Sequence, residues 1–242
     1  MNVLINHLKV VGVSFHMRLR GQKGPFKFLR HETAQIFPGV IPRAVCEEAR
    51  NTIDQVLDRG DNNRIWRDAT GSDSRILGFE KDIPALLPYF YVESCISAID
   101  SYLGKSTQSW LLMANRLIPR SGNKGSGGGL HRDSPFSHQV KCIWYLSDVH
   151  AANGPFEYVP GSHRNLYSQR NKYPIGTYRF ENVSEERKAI TAEAGSLLVC
   201  DTRAIHGGRP IAEGSRYAVT LYTFDDATGA DRLFRSSGLK PD

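Results

Sequence analysis

The run QVKCIWYLSDV (139–149) is mostly apolar and closes on a turn, and four more like it surround it: WLLMANRLI (110–118), PFEYVP (155–160), GSLLVCD (195–201) and RYAVTLYTF (216–224). Each is about the length of one strand, and Gly, Pro and Asn punctuate the gaps, the pattern of a β sandwich or barrel. Before residue 110 the texture differs. Residues 42–59 place Val45, Ala49, Ile53, Val56 and Leu57 on one face at helical spacing. Pro42 suits the first turn of that helix and Gly60 its exit. Residues 83–103 carry a second helical pattern through Phe90, Ile96, Ile99 and Leu103, stopped by Gly104, with Pro84 and Pro88 disturbing its start. Helices first and strands second predict a mainly β fold with flanking helices packed on one face. The chain is then one domain over 1–242: a helical or mixed front (1–109), a barrel core (110–224) and a C-terminal tail (225–242).

With 242 residues, 40% of them apolar and 23% charged, the composition is that of an ordinary globular protein. The 31 Lys and Arg exceed the 25 Asp and Glu and give a net charge of +6. That balance admits anionic partners, but no basic run or stacking stripe points to nucleic acid. Cys46, Cys95, Cys142 and Cys200 form no C-x-x-C pair and read as buried, reduced thiols. The apolar stretch at Val10–Phe15 is too short and too polar in its flanks for a signal or a membrane span, so the expectation is a soluble, cytoplasmic protein with no integral membrane segment. The sequence does not set an oligomeric state.

The Gly-rich segment PRSGNKGSGGGL (119–130) delivers the chain to His131-Arg132-Asp133. On extended backbone residues i and i+2 point the same way, so the imidazole and the carboxylate can converge on one ion. His206, 75 residues on and just before Gly207-Gly208, is the best third ligand. Two His and one carboxylate with open positions is the arrangement of non-haem Fe(II) oxygenases. Arg216 opens the next strand ten residues later, and a buried guanidinium fork there would grip a distal carboxylate. On spacing alone it reads equally as a strand-edge arginine.

The set H-R-D (131–133), N-G-P-F-E-Y-V-P-G-S-H (153–163), D-T-R-A-I-H (201–206) and G-S-R-Y-A (214–218) resembles the phytanoyl-CoA dioxygenase family of Fe(II)/2-oxoglutarate oxygenases, over roughly residues 110–224. The resemblance implies a double-stranded β-helix, a jelly-roll or cupin-like barrel. It implies His131, Asp133 and His206 as iron ligands, and Arg216 on the C5 carboxylate of 2-oxoglutarate. It implies Trp144 as an aromatic lining the cosubstrate pocket, although core packing serves that residue as well. Many relatives carry a hydroxyl residue two positions after the distal His; here that position is Gly208, which leaves Asn115 and Arg116 as candidates to help hold the cosubstrate. The Pro160-Gly161-Ser162-His163 turn reads as a shaper of the barrel rather than an iron site.

The implied reaction consumes dioxygen and 2-oxoglutarate, releases succinate and carbon dioxide, and hydroxylates an unactivated C–H bond of a small molecule, with ascorbate as an optional reductant. Asp133 favours hydroxylation or a related oxidation, since halogenating relatives lack the carboxylate. Arg132, Arg164, Arg203 and Arg209 lie near the metal motifs, and Arg132, Arg203 and Arg116 are the basic residues most expected to meet a substrate. A ring of such cations points to an anionic substrate: a carboxylate, an acidic or phosphorylated sugar, or a carrier-bound acyl group. Tyr167, Tyr173 and Tyr178 of the long charged loop would pack on its sugar or acyl part. The rival reading is a catalytically silent barrel that binds a ligand or metal without turnover.

Overall fold

The computed structural model describes residues 12, 15–17, 19–60, 63–133, 139–164 and 179–240, so the loop tyrosines 167, 173 and 178 lie outside the described residues. Among the described residues ten strands build two antiparallel sheets. In chain order they are β1 (Ala34–Phe37), β2 (Ile65–Arg67), β3 (Asp73–Leu77), β4 (Ser109–Leu117), β5 (Val140–Tyr145), β6 (Phe156–Tyr158), β7 (Lys188–Ile190), β8 (Leu197–Asp201), β9 (His206–Gly208) and β10 (Arg216–Phe224). The larger sheet runs β1-β8-β5-β10-β4-β3-β2 and the smaller runs β7-β6-β9. The pairs β1-β8, β8-β5, β5-β10 and β10-β4 join strands distant in sequence, as a jelly roll requires, while β4-β3-β2 follow chain order.

Three of those seven strands, β1, β2 and β3, come from the residues read as a helical or mixed front. The boundary at residue 110 is therefore not kept, and β3 completes the sheet beside β4 with Arg75 opposite Asn115. These strands escape pattern reading because they are short, three to five residues each, and gain stability from their neighbours' edges.

Helix α1 (Arg43–Arg59) follows the expected 42–59 span and ends on Gly60 at φ 74°. Its buried face, Val45, Ala49, Ile53, Val56 and Leu57, joins Ile76, Leu112, Trp144 and Val219 from the large sheet in the main core. The second expected helix is broken. A 3-10 turn covers Leu87–Phe90, Tyr91 takes a left-handed conformation at φ 48°, and α2 runs only over Val92–Leu103. Pro84 and Pro88 explain the late start, because a proline ring excludes the helical hydrogen bond behind it. The expected tail carries α3 (Gly229–Ser236), which packs Phe234 against Leu77, Leu111 and Met113. Helices α1 and α2 thus cover the outer face of the large sheet, while α3 packs on one end of the inner face, at Leu111 and Met113, the face that carries the site. Among the described residues no helix is long and apolar enough to cross a membrane, and all four cysteines are buried free thiols.

Candidate metal centre and cosubstrate pocket

His131 and His206 meet as an antiparallel bridge, with His131 N–H donating to His206 O at 2.8 Å and His206 N–H to His131 O at 2.9 Å. That pairing sets the two imidazoles side by side with ring centroids 4.4 Å apart. Each ring is oriented through Nδ1, which faces Gly129 O at 2.9 Å in His131 and Ala204 O at 3.0 Å in His206. Both Nε2 atoms are thereby turned toward Asp133 Oδ1, at 3.6 Å and 3.7 Å. Phe156 stacks on the far face of His206 with centroids 5.5 Å apart. Asp133 is clamped by its main chain: its N–H donates to Thr202 O at 3.1 Å and its carbonyl accepts from Gln139 Nε2 at 3.2 Å. The three ligand atoms lie within 4.8 Å of one another, a separation one ion bridges.

The protonation states suit a metal. Burial pushes the His131 imidazole down to about 4, with His206 adding to the shift and Asp133 opposing it. Burial alone would raise the Asp133 carboxyl, but Lys141, His206 and His131 outweigh it and hold it at about 2. Neutral imidazole and ionised carboxylate are the ligating forms.

The glycines of the approach loop have a steric reason. A Cβ on Gly127, at φ 84°, would lie 2.4 Å from Cε1 of His131, so only glycine lets the loop wrap the imidazole. Arg179 closes the loop from outside through Gly127 O, and through Gly128 O at 3.2 Å. At Gly208 a Cβ would meet Ser126 at 2.9 Å. Ser126 thus occupies the space that a side chain at position 208 would need, and it lines the cavity beside the triad.

Arg216 opens β10 on the same cavity. It is 4% exposed, its Nη1 donates to Gly154 O, and its Nε finds no partner among the described residues. A buried guanidinium N–H without an acceptor costs about 1–3 kcal/mol; a carboxylate in the cavity would supply that acceptor. Asn115, two rows along in register with Ala218, also lines the cavity, with Nδ2 3.5 Å from Asp73 Oδ1.

Five expected placements are corrected. Trp144 is fully buried on the other face of β5, edge-on to Phe90 at 5.4 Å in the main core. Strand alternation sends Lys141, Ile143 and Tyr145 into the cavity instead. Arg116 faces α1, with Nη1 2.6 Å from Asp54, a carboxylate it shares with the Tyr217 hydroxyl. Arg203 is paired with Asp201, Nε to Oδ1 at 2.8 Å, in a buried set that includes the Tyr102 hydroxyl. Arg132 points opposite to its two neighbours and lies over Phe180 at 5.5 Å, with Ser162 O 3.4 Å away. Arg209 donates to Glu157 at 2.9 Å.

What pattern reading missed is the polar lining supplied by the large sheet: Arg75, Lys141, Tyr145 and Tyr222. One signal was available, a lysine inside the otherwise apolar run 139–149.

A jelly roll with two histidines and one carboxylate at its open end defines the class of 2-oxoglutarate-dependent non-haem iron dioxygenases. Residues 34–218 match the phytanoyl-CoA dioxygenase (PhyH) family, and the chain belongs to it. Ectoine dioxygenase from Halomonas elongata is 29% identical over 119 residues, covering 38% of this chain and 36% of that protein. Among solved structures, the epimerase SnoN from nogalamycin biosynthesis, in complex with Fe3+ and alpha ketoglutarate, superposes with a TM-score of 0.61 at 14% identity, covering 89% of this chain and 84% of that one. EvdO2 from Micromonospora carbonacea var. aurantiaca, with 2-oxoglutarate, gives 0.57 at 18% identity over 82% and 89% of the two chains. At these identities the likeness is one of fold.

Proposed function

We propose that the protein hydroxylates an unactivated C–H bond of a small, anionic molecule, with 2-oxoglutarate converted to succinate and carbon dioxide. His131, Asp133 and His206 would hold the iron, and Arg216 would hold the C5 carboxylate. The observation that carries this reading is the unpartnered Nε of Arg216, buried on the cavity that also takes in the three converging ligands. A bound Fe(II) supplies dioxygen activation, which no side chain here offers. Asn115 and Ser126 are positioned to complete the cosubstrate site.

The arginines near the motifs no longer argue for an anionic substrate, since Arg203, Arg209 and Arg116 are spent on internal carboxylates. Support comes from the cavity wall. Arg75 and Lys141 join Arg216 there against Asp133, and Asp73 stands behind Arg75 at 2.6 Å. Arg75 is itself paired with Asp73 and Lys141 with Asp133, so the support is the net count. Bound Fe(II) and the 2-oxoglutarate dianion would cancel, and the three cations Arg75, Lys141 and Arg216 against Asp73 and Asp133 leave one positive charge for an acidic group on the substrate. Four free thiols fit a reducing, cytoplasmic setting, and we read 1–242 as one catalytic domain.

Anaerobic loading with Fe(II) followed by 2-oxoglutarate should produce a metal-to-ligand charge-transfer band, and admission of air should produce slow succinate release. Arg216→Ala should raise the apparent KM for 2-oxoglutarate about 10- to 100-fold, the loss of a charged hydrogen-bond pair, with Fe(II) binding intact. Neither band nor succinate from the wild-type protein would leave the silent-barrel reading standing.

A further inference from the structure

The two oxygens of Asp133 face different partners. Oδ1 is turned to Nε2 of both His131 and His206, at 3.6 Å and 3.7 Å. Oδ2 is the oxygen nearer to Lys141, 3.7 Å from its Nζ. Lys141 is the second residue of β5, opposite Cys200 of β8, and its side chain is 3% exposed. Its ammonium also lies 4.1 Å from the centre of the Tyr222 ring on β10. The stem is thus held between three strands and the charge is delivered to one carboxylate oxygen. A buried ammonium is costly unless it meets an opposite charge, so this placement of a lysine in an apolar strand calls for a role at Asp133.

We propose that Lys141 is a positioning residue of the metal centre: by engaging Oδ2 it restricts Asp133 to a single ligand oxygen, Oδ1. The proposal rests on reading His131, Asp133 and His206 as the metal site. A carboxylate with both oxygens free can chelate one ion through both, and the second oxygen would then take a position that the cosubstrate or dioxygen needs. An ammonium on Oδ2 competes for that oxygen. Outer partners of this kind typically change metal affinity or activity 10- to 100-fold when removed. Lysine suits the task because it presents a compact point charge on a thin stem, which fits between Tyr222 and the carboxylate.

Co(II) is the probe. X-ray absorption of the wild-type protein loaded with Co(II) reads the metal-to-carboxyl-carbon distance, which is longer for one-oxygen than for two-oxygen ligation. One-oxygen ligation is expected. In Lys141→Met, Co(II) should still bind, the distance should contract to the two-oxygen value, and 2-oxoglutarate should bind roughly tenfold or more weakly by calorimetry. Two-oxygen ligation in the wild-type protein overturns the proposal, and this arm needs no variant, so it decides even if Lys141→Met does not fold. A folded Lys141→Met with wild-type distance and 2-oxoglutarate affinity also overturns it. Failure of the wild-type protein to bind Co(II) at all is a different result: it removes the metal reading on which the proposal rests.

Discussion

His163 shows how far one residue can be read from its bonds. Its Nε2 lies 3.0 Å from Leu29 O, a carbonyl that can only accept, so Nε2 carries the proton. Its Nδ1 lies 3.2 Å from Thr33 Oγ1, whose own oxygen accepts from Gly161 N–H at 2.8 Å. That leaves the Thr33 hydroxyl hydrogen free to donate to Nδ1 of a neutral imidazole. Burial lowers its pKa below the ordinary 6.5. The unfolded chain then binds more protons than the folded one below about 6.5. The stability due to this histidine is complete above that pH, falls as pH drops toward the folded pKa, and is level below it. Urea unfolding between pH 5 and pH 8 should show His163→Gln less stable by about 1–2 kcal/mol at pH 8, with a smaller gap at pH 5. A gap that does not change with pH would refute the neutral tautomer. At this scale the convergence of His131 and Asp133 was legible, because period-two alternation is a local property of extended chain. The same alternation, applied to β5, would have put Lys141 and Tyr145 in the cavity and Trp144 in the core.

The approach loop before His131 is the element on which the site most depends. It is seated on β9 so closely that Gly208 N–H donates to Ser126 O at 2.9 Å. Gly127→Ala places a Cβ against the His131 ring at a φ that L residues rarely adopt. The expected cost is about 1–2 kcal/mol of stability together with metal affinity reduced tenfold or more, read by thermal unfolding and by Co(II) titration. Unchanged affinity would mean that the loop yields and the ring stays. The strands that pattern reading missed share one trait. β9 is His-Gly-Gly and β7 is Lys-Ala-Ile, three residues each with no usable period. They are strands because β6 lies between them and pairs with both. α1 could be read from its own residues, since a 17-residue helix repeats its apolar face often enough to be seen.

Over the whole molecule, the ligands tie segments that lie far apart in the chain. His131 and Asp133 end the loop after β4, while His206 opens β9. A metal that binds only this folded arrangement must stabilise it. At a hundredfold excess over its Kd the gain is about 2.7 kcal/mol, which for a chain of this size raises Tm by roughly 5–10 °C. Differential scanning calorimetry with Co(II) should show that rise, EDTA should reverse it, and His206→Ala should abolish it. A rise that persists in His206→Ala would place the stabilising metal elsewhere. The sequence alone determined the β-rich class, α1 and the candidate set His131, Asp133 and His206, because side-chain chemistry and short-period alternation are written locally; Arg216 was named through the family resemblance. Only the tertiary structure decided the partners: which arginines are spent on internal carboxylates, that Ser126 fills the space at Gly208, and that Lys141 faces one oxygen of Asp133. Those outcomes depend on which strands become neighbours, and strand order in a jelly roll is set by long-range pairing that no local period records.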